Sequence, residues 1–185
     1  THPMPDRPFS KRIFDLETFG RLLRELIADL GWLKGARRDP AIGSVFSEKI
    51  MLAVTQVNGC RYCSFLHTRA ALAVGAPSEE LHIIASGDFE GLEKRELVAL
   101  NFAQHFAETR GVTTADAWQR MVQAYGDDTA QRMQTLMRAI TVGNLTGNTL
   151  DALLARLRGR AAEGSSASQE IGSLLAWAWA GPWFG

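Results

Sequence analysis

The residues able to do chemistry crowd into one short stretch, Cys60-Arg61-Tyr62-Cys63-Ser64-Phe65-Leu66-His67, and the chain has no cysteine outside it. Two thiols separated by two residues close almost no loop, so a disulfide between them contributes little by constraining the unfolded chain. In a reducing compartment such a pair points to redox chemistry or metal binding. Cys-x2-Cys-x3-His offers only three ligands, structural zinc takes four, and no second Cys/His pair completes a site, so neither metal nor cofactor is expected. Asn58-Gly59 is a helix stop, which puts both thiols in the first turn of a following helix, where unpaired backbone N–H groups and the helix dipole favour an anion. A thiolate is such an anion, and it is the form that attacks peroxides and disulfides. Residues three and four apart on a helix are neighbours, so Cys60 adjoins Cys63 and Cys63 adjoins His67. Small helical adjustments close a Cys60–Cys63 disulfide, and His67 is spaced to exchange a proton with Cys63. The orienting group for the imidazole has to come from elsewhere. Glu48, near the head of the preceding helix, is the candidate, in a relay from Glu48 through His67, directly or by way of water, to Cys63.

The elements that must hold these residues are helices throughout. Gly and Pro punctuate segments with apolar residues at three- and four-residue spacing, and no period-two alternation of useful length occurs, so the chain is predicted all-α. The pattern gives a first helix from Leu16 to Leu33, a second from about Phe46 to Val57, a third from near Cys60 to Val74, and a short one opening at Ser78-Glu79-Glu80 and closed by Gly87. A fifth fits Leu92 to Arg110 and a sixth starts at Thr113-Thr114 and reaches Tyr125. The stretch from Asp127 to Leu157 is one long helix kinked at Gly143 and Gly147, or two helices. Residues 159–168 read as a mobile linker to a last helix, Gln169 to Trp179. Trp177, Trp179, Trp183 and Phe184 then need burial, most naturally against a neighbouring protomer. His105 lies on a polar helix face and reads as solvated, and Asn144 and Asn148 read as structural hydrogen-bonding residues.

The 185 residues suit a single domain, 1–185. Twenty Lys and Arg against twenty Asp and Glu give zero formal charge, with no global field for nucleic acid or an anionic membrane. The most apolar stretch, from Ile171 to Phe184, is shorter than the ~20 residues of a spanning helix, and the N-terminal residues lack the apolar core of a secretory signal. The expected setting is the cytoplasm.

Glu48 followed by Asn58-Gly59-Cys60-x-Tyr62-Cys63-x3-His67-x2-Ala70 resembles the core motif of the alkylhydroperoxidase (AhpD)-like, carboxymuconolactone decarboxylase superfamily. The segment from Leu92 to Phe106 is similar to that family's next core helix. The resemblance implies an all-α AhpD-like bundle assembled as a symmetric homo-oligomer: a trimer, hexamer or dimer. It implies reduction of a hydroperoxide substrate, with Cys63 as the attacking sulfur, Cys60 as the resolving one, and Glu48 and His67 as activators. Regeneration then falls to an external dithiol, a lipoyl-type reductant in the peroxidase branch. Tyr62 stands where the well-studied peroxidases carry histidine, and decarboxylating members generally lack the cysteine pair. A rival from another class is a non-catalytic redox-sensing or scaffold oligomer.

Overall fold

The structure, a computed structural model, describes residues 11–13, 15–36 and 38–180. Among them are nine helices and no strand: α1 (Leu16–Ala28), α2 (Leu30–Ala36), α3 (Gly43–Asn58), α4 (Arg61–Ala73), α5 (Ser78–Ser86), α6 (Lys94–Glu108), α7 (Ala115–Tyr125), α8 (Asp127–Leu157) and α9 (Ala167–Ala180). No described helix is long and apolar enough to cross a membrane.

The all-α architecture is built around α3. Every residue from Phe46 to Thr55 is buried, because α4, α5, α6 and α8 pack around this one helix. A helix surrounded in this way needs apolar residues on all sides, and Ile50, Met51, Leu52, Ala53 and Val54 supply them. Its polar exceptions are matched by partners on neighbouring helices. The Lys49 ammonium lies 2.6 Å from Glu80 and 2.7 Å from Glu96, tying α3 to α5 and α6. Glu48 pairs with His67 of α4.

Three elements differ from the sequence expectation. The helix expected from Leu16 to Leu33 breaks at Asp29, whose carboxylate binds Arg138 and, at 3.3 Å, Gln131, both on α8. α3 starts at Gly43 rather than Phe46, because Asp39 organises the preceding turn by accepting from the Ala41 and Gly43 N–H groups. Glu48 is consequently in the second turn, inside the protein. Of the two alternatives for 127–157 the structure has the single helix, continuous over 31 residues. The turn expected as a linker at 159–168 folds back onto α8: the fully buried Glu170 carboxylate accepts from Arg156 and Ser165. Trp183 and Phe184 lie outside the described residues, as do the side chains of Trp177 and Trp179.

Candidate active site

The site is made at the junction of α3 and α4. Gly59, with φ +71°, takes the left-handed conformation that ends α3 and turns the chain directly into α4. Cys60 is thereby the N-cap of α4, and its sulfur accepts the backbone N–H of Cys63 at 3.3 Å, the place a serine or aspartate oxygen usually fills. Both cysteines are free thiols. Their sulfurs are 2.7 Å apart, against about 2.05 Å in a disulfide, so less than an ångström of movement separates them from a bond. Cys60 is buried at 1% exposure, and Cys63 is partly exposed.

This arrangement splits the two thiols electrostatically. The hydrogen bond from the Cys63 thiol, together with the backbone N–H groups of Cys63 and Tyr62 and the Lys11 charge, outweighs burial and brings the Cys60 thiol down to about 6. Cys63 moves the other way: it donates to the Cys60 sulfur, it is partly buried, and it faces the Cys60 charge, so its proton is held well above the ordinary thiol range. Of the two sulfurs, Cys60 is the one favoured as an anion and Cys63 the one that keeps its proton.

Glu48 and His67 meet directly, Oε2 to Nδ1 at 2.7 Å, with the carboxylate almost fully buried. A carboxylate accepts, so Nδ1 carries the hydrogen and Nε2 is the basic nitrogen of the ring. His67 lies one turn beyond Cys63 on α4. His105 is elsewhere, on α6, where its Nε2 accepts the Thr114 N–H at 3.4 Å.

The opposite wall comes from α8. A Cβ on Gly147 would lie 2.8 Å from the Cys60 sulfur and 3.4 Å from a Tyr62 ring carbon, so only glycine lets this helix pass so close to the thiols. One turn on, Asp151 is buried and accepts from Tyr62 at 2.7 Å, Arg61 at 2.6 Å and Lys11 at 2.5 Å. Burial pushes its carboxyl up, and the Lys11 and Tyr62 hydrogen bonds and the cationic neighbours more than reverse this, holding it below the usual range. Asn144 and Asn148 stand on the same stripe of α8, bonded respectively to Thr55 and to the Asn58 and Arg12 carbonyls. Sequence reasoning missed Gly147, Asp151 and Lys11. The 144, 147, 148, 151 spacing of small and polar residues marks one helical face, and that was the available signal.

On the other side of Cys60 an open cavity of about 320 Å³ lies between α3, α4 and α5, lined by Leu52, Thr55, Gln56, Cys60, Ser64 and Ile84 among others. Cys60 is the cysteine of the pair that lines it. Among the described residues no three His, Cys, Asp or Glu side chains converge as metal ligands would.

No curated protein and no solved structure matches the chain. The model of the Carboxymuconolactone decarboxylase family matches residues 21–105, which run from within α1 to within α6 and leave Lys11, Gly147 and Asp151 outside. Glu48, Cys60, Cys63 and His67 all fall inside this matching segment.

Proposed function

We propose that this protein is an AhpD-like thiol peroxidase that reduces a hydroperoxide at the Cys60–Cys63 pair, with the whole chain acting as one domain. The observation that carries the reading is the pair itself: two free sulfurs 2.7 Å apart beside a histidine held by a buried carboxylate. Cys63, the more exposed sulfur, attacks. Its proton passes to His67 Nε2, and the resulting thiolate attacks the terminal peroxide oxygen and breaks the O–O bond. An S–O bond forms, the alkoxide leaves and takes up a proton, and Cys63 becomes a sulfenic acid. Cys60, already favoured as an anion at neutral pH, then attacks the Cys63 sulfur, the S–S bond closes and water leaves. One hydroperoxide and two thiols give an alcohol, water and a disulfide, and an external dithiol or lipoyl-type donor restores the pair. A cytoplasmic setting suits thiols that must be returned to the reduced state.

A specific observation favours assembly as a homo-oligomer, and with it the second reading of a redox-responsive scaffold. α4, which bears the pair, exposes Phe65, Leu66 and Leu72. The experiment that separates the readings is hydroperoxide turnover with an added dithiol. Catalytic consumption abolished by Cys63→Ser supports the peroxidase; a redox-dependent change of oligomer size with no turnover supports the scaffold instead.

A further inference from the structure

We infer that Asp151 is a positioning residue for the cysteine pair: its carboxylate clamps Arg61 and Tyr62, the two residues between the cysteines, to α8 and so sets how readily the Cys60–Cys63 disulfide forms. The inference rests on the redox reading above and adds a residue outside the family-matching segment.

The geometry is specific. Arg61 and Tyr62 both donate to the same oxygen, Asp151 Oδ1, at 2.6 and 2.7 Å, and Lys11 takes Oδ2. The Arg61 guanidinium also lies over the Tyr62 ring, 4.8 Å from its centre, and donates to the phenol oxygen. The dipeptide that separates the cysteines is therefore bolted to a carboxylate that is itself 7% exposed. Four residues earlier on α8, Gly147 provides the flat backbone surface against which the Cys60 sulfur and the Tyr62 ring rest. Clamp and floor together fix the first turn of α4, and with it the separation of the two sulfurs. The effective concentration of one thiol at the other depends on that separation being held and not sampled.

Removing the carboxylate acts twice in the same direction. The first turn of α4 loses its anchor, so the sulfurs spend less time at bonding distance. The Arg61 and Lys11 charges lose their counter-ion beside Cys60, which favours the thiolate of the reduced pair and thus disfavours the disulfide.

The test is equilibration of the full chain with glutathione at neutral pH, followed by mass: the reduced pair and one oxidised glutathione give the Cys60–Cys63 disulfide and two reduced glutathiones. Asp151→Asn is expected to lower this equilibrium constant at least tenfold, which is about 30 mV for a two-electron couple. Tyr62→Phe, which removes one of the three donors and keeps the ring, is expected to shift it less and in the same direction. A merely structural role would lower the unfolding temperature and leave the equilibrium in place. Constants within twofold of wild type for both variants would overturn the inference. A wild-type protein that forms no such disulfide would overturn the redox reading, and the inference with it.

Discussion

Alanine in place of Gly147 tests the packing of α8 on the thiols, and alanine in place of Gly143, one turn earlier on the same helix, is its built-in control. At Gly143 an added Cβ meets nothing within 4 Å. Only the helix-propensity gain remains there, so Gly143→Ala should stabilise the protein by about 1 kcal/mol. At Gly147 the Cβ would lie 2.8 Å from the Cys60 sulfur, whereas ordinary heavy-atom contacts fall near 3.5–4.0 Å, an overlap of about 1 Å. Overpacking of this kind costs about 1–3 kcal/mol, so the propensity gain is cancelled or exceeded, and the two variants should differ by about 1–3 kcal/mol. For a chain of this length 1 kcal/mol corresponds to about 2–4 °C, within reach of thermal unfolding on reduced protein at matched concentration. The one cheap escape is rotation of the Cys60 side chain, which gives up the Cys63 N–H and the contact with the Cys63 sulfur. A variant that escapes this way keeps its stability and loses rapid disulfide formation. The reasoning is refuted if Gly147→Ala is as stabilising as Gly143→Ala and also closes the disulfide at the wild-type rate.

The split of the two thiols gives a pH signature. Thiolate absorbance near 240 nm on the reduced protein should titrate as one equivalent with a midpoint near 6, and Cys63→Ala, which removes the donor to Cys60, should move that midpoint upward. Because the anion of Cys60 is the species that closes the disulfide, closure should rise as pH climbs through about 6 and fall below it; two thiolates appearing together near the ordinary value of about 8.5 would contradict this. Glu48→Gln keeps the size of the buried side chain and removes the charge that orients His67. It should slow peroxide-driven thiol loss by about a hundredfold, the scale of general acid–base assistance, and an unchanged rate in stopped flow would remove Glu48 from the mechanism.

Much of this molecule was legible in the sequence because the signals are local. Gly59, Gly87 and Gly126 end helices where their positions along the chain said they should, and Glu48, Cys60, Cys63 and His67 fall within twenty residues or so of one another. What escaped depends on partners far away in sequence. Asp29 breaks the first helix because Gln131 and Arg138 bind it from α8, about a hundred residues on. Asp151 has its partners Lys11, Arg61 and Tyr62 about 90 to 140 residues away, so nothing local marks it. Gly147 invited the reading of a kink, since a glycine in a helix signals weakness when nothing says what passes close by. The structure uses the missing side chain as room for a sulfur.

The central claim is that Cys60 and Cys63 turn over a hydroperoxide as a pair. Rapid mixing of the reduced protein with one equivalent of an alkyl hydroperoxide, quenched and read by peptide mass, tests it most directly. Prompt loss of both thiols as a single Cys60–Cys63 disulfide with stoichiometric alcohol is expected, with no sulfenic acid accumulating unless Cys60 is replaced. Thiols that stay reduced in excess hydroperoxide would contradict it.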